Sequence, residues 1–282
     1  MKDYQIRRMT SQEMASTCIE WAYNEGWNPG LGDGECFYNA DPNGFFAGIL
    51  NGEIIATISA VAYDQSFGFI GFYIVKPEFR GLGYGKRLWD KAISYLSTQN
   101  IGLDGVLEQQ DNYKKSGFKL AYKNVRYKGI SQKSQLYSKQ LIPYDVNYFD
   151  LLCEFDRMFF PVDRKRFIKD WTEQPNSTTW IVLEDGNIQG YVTMRKCREG
   201  YKIGPLFARK HETALGLLKT CFGFPNNGSS IYLDVPEVNQ LGIKLALQFD
   251  MEPVFGTARM YTLEPPKVNL KGIYGVTTFE LG

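Results

Sequence analysis

Hydrophobic and polar positions fall into two blocks with the same order of elements. In the first, Tyr4–Met9 reads as a short strand, and Thr10-Ser11-Gln12-Glu13 is a capping-box pattern opening a helix to about Asn24. Met14, Ala15, Cys18, Ile19 and Ala22 share one face of that helix. A Gly/Asn/Asp-rich loop, Gly26 to Gly34, follows. Phe45–Leu50 and Ile54–Tyr63 are strands joined by Asn51-Gly52, a strong hairpin signal, and Phe67–Val75 is a third, aromatic and β-branched strand. A glycine-rich turn, Arg80–Gly85, leads into a helix to about Thr98, with Leu88, Trp89, Ala92, Ile93 and Leu96 on one face. Leu103–Leu107 (strand), Gln109–Lys115 (short helix) and a strand pair beyond Phe118 complete the block.

The second block begins after the polar stretch Lys128–Gln140. Asn147–Phe159 and Arg164–Trp171 read as helices. Thr178–Leu183 and Ile188–Lys196 form a hairpin around Asp185-Gly186, and Tyr201–Ala208 is the next strand. Helix His211–Phe222, strand Ser230–Val235, helix Asn239–Phe249 and a strand to Thr262 follow. The order β-β-β-α-β-α-β thus occurs twice. Leu270–Leu281 is strand-like and is expected to return to the sheet.

Length agrees: 282 residues at roughly 150 per domain give about two domains. The expected division is 1–130 and 141–282. With 44% apolar, 15% aromatic and 22% charged residues, each half can build a core. The longest charge-free runs, Ile54–Tyr63 and Gln65–Val75, fall short of the ~20 residues of a membrane helix, and the first residues show no apolar leader. A net charge of +1, from 32 basic and 31 acidic residues, gives no drive toward nucleic acid. Five scattered cysteines without a CxxC point to a reducing, cytoplasmic setting, and a single histidine, His211, leaves no basis for a His-rich metal site. Neither nucleic acid, membrane nor metal is therefore expected as a partner, and a homodimer remains open.

The informative chemistry lies in Phe72-Tyr73-Ile74-Val75-Lys76-Pro77-Glu78-Phe79-Arg80-Gly81-Leu82-Gly83-Tyr84-Gly85-Lys86. A buried strand, a glycine turn and a helix start place outward-facing amides and the positive helix end where an anion can sit. Glycines let backbone approach phosphate closely. The segment reads as a pyrophosphate cradle, with Arg80 and Lys86 adding positive charge. It matches neither GxGxxG nor GxxxxGK[ST].

Arg80-Gly81-Leu82-Gly83-Tyr84-Gly85 resembles the R/Q-x-x-G-x-G/A acetyl-CoA motif of GNAT N-acetyltransferases. Tyr113-Lys114-Lys115-Ser116-Gly117-Phe118 is similar to that family's Y-x-x-x-G-F segment. The fold resemblance spans about residues 1–128, and the whole chain resembles a tandem GNAT protein. It implies an α+β fold of two GNAT-like domains, each a mixed, mostly antiparallel sheet flanked by helices. It also implies that Ile74 and Val75 present backbone to pantetheine, and that Arg80, Gly81, Gly83, Tyr84, Gly85 and Lys86 hold the pyrophosphate. Tyr113 would protonate the departing CoA thiolate. The asparagine usual seven residues before that tyrosine is Val106 here, which leaves Asn112 as the candidate for its contact.

The implied reaction is direct attack of an amine on the acetyl-CoA thioester, with a small amine or amino-acid-like acceptor. It needs a group to take the amine proton. Asp33, Glu35 and Glu78 are the candidates by position, Asp33 because the loop after the first helix lines the acceptor side in this family. Trp27, Phe37, Tyr38, Phe72 and Tyr73 are candidate pocket walls, and the loop Trp27–Asp33 reads equally as a binding loop or a packed connection. In the second half, Phe207-Ala208-Arg209-Lys210-His211 replaces the glycine turn, so that domain is expected to keep the fold without the CoA site. Lys202, Asp234 and Asn239 are expected to converge at one sheet edge. Phe160–Phe167 reads as cation–π packing or as an anion-recognition segment. The rival readings are a non-catalytic acyl-CoA sensor and an interaction scaffold.

Overall fold

The computed structural model describes residues 3–97, 99–132 and 141–282. The expected helix end at Thr98 and most of the Lys128–Gln140 stretch lie outside the described residues. The first half runs β1 (Tyr4–Arg8), α1 (Ser11–Glu13), a wider π turn (Met14–Cys18), α2 (Ile19–Asn24), α3 (Asp33–Ala40), β2 (Phe45–Leu50), β3 (Glu53–Ala62), β4 (Phe67–Val75), α4 (Tyr84–Tyr95), β5 (Asn100–Val106), α5 (Gln110–Lys115) and β6 (Lys119–Ile130). The second runs β7 (Leu141–Pro143), α6 (Phe149–Asp156), α7 (Lys165–Glu173), β8 (Ser177–Glu184), β9 (Asn187–Lys196), β10 (Tyr201–Ala208), α8 (His211–Gly223), β11 (Ser230–Pro236), α9 (Gln240–Gln248), β12 (Glu252–Tyr261) and β13 (Ile273–Gly275).

Local chemistry explains the boundaries. Thr10 caps α1: the Glu13 amide donates to its hydroxyl at 3.2 Å, and its own amide donates to the Glu13 carboxylate at 2.9 Å. Asn51-Gly52 and Asp185-Gly186 both adopt positive φ, as tight hairpins require. The Gly26–Gly34 loop is shorter than its composition suggests, because α3 begins at Asp33. The signal for α3 is tertiary: Phe37 stacks on Trp171 of α7 at 5.8 Å, and Asn39 bonds Asp170.

Among the described residues all strands belong to one sheet, ordered β1-β2-β3-β4-β5-β12-β6-β11-β10-β9-β8-β7, with β13 pairing β10. The expected strand pair beyond Phe118 is a single long strand. Its neighbour comes from the other half: β12 lies between β5 and β6, pairing Thr257 with Val106 on one side and with Asn124 on the other. β6 in turn pairs β11 over Asn124–Ile130. The halves thus exchange their closing strands. On one side of the first half's sheet, Leu88, Trp89 and Ala92 of α4 bury against Ile58, Ile70, Leu103 and Met260. Another cluster joins Met14, Cys18, Phe37 and Phe72 to Phe167 and Trp171 of the second half. Among the described residues no helix is long and apolar enough to cross a membrane.

Candidate active site

The site opens where β4 and β5 part. Their parallel pairing covers only Phe67–Ile70 with Asn100–Leu103. Beyond it β4 runs on to Val75 and β5 to Val106 without pairing each other. The divergence begins at a bulge: the β3 register shifts between Thr57 and Ser59, and Phe72 takes φ +46°, rare for a bulky residue. The Thr57 hydroxyl donates to the Phe72 carbonyl at 2.9 Å and fixes that backbone. The splay leads into a cavity of about 630 Å³, within the usual size for a small-molecule site.

At one end lies the glycine turn. Gly81 and Gly83 have φ of +75° and +85°, and a Cβ at either would meet nothing within 4 Å. Gly83 starts α4 without a side-chain cap. The Arg80 amide bonds back to Pro77 and the Arg87 amide to Gly83, but the six amides from Gly81 to Lys86 find no acceptor among the described residues. That run of free donors at a helix N-terminus is an anion cradle. Gly85 does a different job: a Cβ there would lie 2.6 Å from the Tyr73 hydroxyl and 2.9 Å from Val75, so its absence lets α4 sit on β4. The Arg80 side chain donates to the Val75 carbonyl and to Glu25, and Lys86 pairs with Asp90 one turn on.

Tyr113 faces the same cavity. Its ring stacks with Trp89 at 5.6 Å between centroids and lies on Gly105, where a Cβ would stand 2.1 Å from Tyr113 Cε2. Burial pushes the phenol well above its ordinary range, reinforced by neighbouring Tyr73, so it stays protonated at working pH.

Ile74, Val75, Arg80, Gly81, Gly83, Gly85, Lys86 and Tyr113 thus share one cavity. Tyr84 does not line it: its ring packs on Tyr4 and its carbonyl accepts from the Tyr4 hydroxyl. Asn112 is exposed and donates to Gln109. Glu78 and Glu35 are exposed and outside the lining, Glu78 on the turn Pro77–Phe79. Asp33 is buried, accepts from the Gly30 amide and is paired with Arg195, again outside the lining. Phe37 and Tyr38 belong to a core cluster, whereas Trp27, Phe72 and Tyr73 reach the cavity.

The loop Trp27–Asp33 is a clamped connection with one residue in the site. Arg126 and Lys202 each donate to the Trp27 carbonyl at 2.9 Å, and Asn28 bonds the Glu199 backbone. Arg126 also makes a two-pronged pair with Asp234 at 2.7 and 2.8 Å. Lys202 and Asp234 therefore meet around Arg126, as expected at that edge; burial, then Arg126, depresses the lysine pKa. Asn239 instead caps α9 and donates to the Lys271 and Ile273 carbonyls. In the Phe160–Phe167 segment, Arg164 pairs with buried Asp156 and lies over the Phe160 ring at 3.9 Å, so packing occupies it.

Four cavity residues come from distant sequence: Phe255 and Thr257 on β12, and Phe279 and Glu280 after β13. The Arg126 guanidinium lies 5.6 Å from the Phe255 ring and 5.0 Å from that of Phe279. The Thr257 hydroxyl is buried without a hydrogen-bond partner. The one sequence signal for this wall is the strand-like reading of Leu270–Leu281.

The second half has the same parting, already filled. β10 and β11 pair only over Tyr201–Ile203, and β13 then enters beside β10, with Leu206 opposite Gly275 and Phe207 opposite Ile273. The Val276 amide closes onto the Asp234 carbonyl of β11 at 2.8 Å. A segment of the chain thus fills the parting that stays open in the first half. It then crosses to the first half, where the Glu280 backbone packs on Gly71 and the Tyr63 hydroxyl donates to the Leu281 carbonyl.

Comparison with known proteins agrees with this architecture. Residues 11–118 match the acetyltransferase (GNAT) family, and residues 152–275 match an acetyltransferase (GNAT) domain. The chain is 31% identical over 263 residues to holothin acyltransferase of Pseudoalteromonas sp. (strain SANK 73390), covering 93% of this chain and 90% of that protein. Two solved structures share the fold. A candidate acetyltransferase of Pyrococcus horikoshii has a TM-score of 0.83 at 21% identity, over 100% of this chain and 97% of that one. A tandem GNAT protein from the clavulanic acid biosynthesis pathway has 0.66 at 11% identity, over 92% and 98%.

Proposed function

Because this chain belongs to the GNAT acyltransferases, as a tandem of two such domains using an acyl-CoA cosubstrate, we propose that it moves an acetyl group from acetyl-CoA to the nitrogen of a small amine. The observation that carries this reading is the run of six unpaired amides from Gly81 to Lys86, four of whose residues (Gly81, Gly83, Gly85 and Lys86) line the same cavity as Tyr113. The cradle suits the pyrophosphate, and the side of β4 that no longer pairs with β5 beyond Ile70 suits the amide groups of the pantetheine arm near Ile74 and Val75, whose other side stays paired with β3. The protonated phenol of Tyr113 suits donation to a departing thiolate.

Direct attack is favoured over an acyl-enzyme. All five cysteines are buried, and burial raises their thiols, to about 11 for Cys197 and about 12 for Cys18, Cys36 and Cys153. None is poised as a thiolate nucleophile. The acceptor side carries aromatic walls, Trp27, Phe72, Phe255 and Phe279, which favour a flat amine. Holothin, the substrate named for the 31% identical relative, is therefore the first acceptor to try. The second domain serves as a wall and clamp for the site, since β13 fills its own parting.

The test is calorimetric titration with acetyl-CoA, followed by CoA release with holothin and a panel of aryl and alkyl amines. Micromolar binding and amine-dependent release support the reading. Binding without release for every amine would favour an acyl-CoA sensor, and no binding would leave a scaffold.

A further inference from the structure

We propose that Glu280 is the group that takes the proton from the acceptor amine. This rests on the amine-acetylation reading above and adds a residue to it. Four carboxylates line the cavity: Glu25, Asp104, Glu108 and Glu280. Glu25 is held by Arg80, and Asp104 is gripped by both arms of Arg259 and by Asn124. Glu108 is exposed, on the turn leading to Tyr113's helix. Glu280 differs from all three. It is only 4% exposed, yet its carboxylate makes no hydrogen bond or ion pair among the described residues. Glu280 lines the cavity.

Its place in the fold suits the task. The Glu280 backbone packs against Gly71, beside the Phe72 bulge and at the apex where β4 leaves β5. The charged groups acting on it are Arg126 of β6, Arg195 of β9 and Lys202 of β10. Two have carboxylates of their own, Asp234 for Arg126 and Asp33 for Arg195, and Lys202 donates to the Trp27 carbonyl. The surroundings thus anchor Glu280 without occupying its proton-accepting oxygens. In the step, the amine nitrogen forms the C–N bond to the thioester carbonyl carbon and the C–S bond breaks. The N–H proton passes to the Glu280 carboxylate, and the thiolate takes the phenolic proton of Tyr113. Both side chains then exchange protons with solvent, leaving amide and CoA.

The experiment compares the wild-type protein with Glu280→Gln, using acetyl-CoA and holothin, with the amine panel as substitute acceptors. A general base contributes about 10²–10⁴-fold. The expected result is a kcat at least about 100-fold lower, with acetyl-CoA affinity and thermal midpoint unchanged. A kcat within about threefold of wild type overturns the assignment. Should Glu280→Gln fold poorly, Glu280→Ala with added formate decides: formate-dependent recovery supports a proton acceptor, and none means a structural role. Wild-type protein that binds acetyl-CoA but acetylates no amine overturns the proposed function itself, a result distinct from an active glutamine variant.

Discussion

Replacing Gly83 by alanine separates a backbone effect from a binding effect, provided it is paired with Gly186→Ala. Both glycines have strongly positive φ, +85° and +75°, and neither has an atom within 4 Å of the Cβ to be added. Each substitution therefore carries a similar backbone cost, about 1–2 kcal/mol for a non-glycine residue in the left-handed region. For a chain of this size that lowers the thermal midpoint by roughly 2–8 °C. The positions differ in what the methyl group does next. At Gly186 it projects from the β8–β9 hairpin. At Gly83 it stands among the unpaired amides of the cradle. Losing one charge-assisted hydrogen bond there costs about 1.5–3 kcal/mol, or roughly 10- to 150-fold in acetyl-CoA affinity. Calorimetry at 25 °C, with both variants checked for folding by thermal melts, makes the comparison. Equal affinity in the Gly83 and Gly186 variants would refute the cradle, whatever their stabilities.

Other outcomes follow from the same geometry. Tyr113→Phe should leave acetyl-CoA affinity unchanged and lower kcat by about 10²-fold, as expected for a lost general acid. Because burial raises that phenol, wild-type kcat should show no loss from its ionisation between pH 7 and 10; a fall near the ordinary tyrosine range would reassign the acid. Gly105→Ala, whose methyl would strike the Tyr113 ring, should reproduce the kcat loss while sparing binding, as single-turnover rates would reveal. Arg126→Met strands Asp234 in the interior and should cost about 3–5 kcal/mol in urea unfolding, with part recovered in the Arg126→Met/Asp234→Leu double variant. The Glu13 carboxyl is held down at about 2, chiefly by its hydrogen bond from Arg7. Its contribution is fully present above pH ~4.5 and is lost as pH falls through 2, so Glu13→Gln should lose about 1 kcal/mol at pH 7 and much less at pH 2.

Elements with a local cause were legible in the sequence. The Thr10–Glu13 cap, the two hairpins and the turn from Arg80 into α4 depend on neighbouring residues, and the glycines at 81 and 83 signalled their own unusual backbone. The absence of that turn near Ala208 correctly separated the two halves' turns, but not the reason the second parting is closed, which is β13. What escaped depends on contacts across the chain. Asp33 reads as a loop carboxylate until Arg195, 162 residues on, is seen against it. Phe255, Phe279 and Glu280 carry no local signature of a site, because a distant segment's path decides what they face. The strand exchange was equally hidden, since a sequence read as two repeats favours each repeat closing on itself.

The position of β12 sets an order of events during synthesis. β5 ends at Val106, and its neighbour across the sheet is complete only at Tyr261. At about 5–20 residues per second, a ribosome needs roughly 8 to 30 s to cover that interval. Throughout it, the nascent first half presents an uncovered strand edge, able to pair with another chain. Chaperone dependence and aggregation on slow translation should therefore trace to this edge, and a synthetic 252–261 peptide supplied in trans should suppress them.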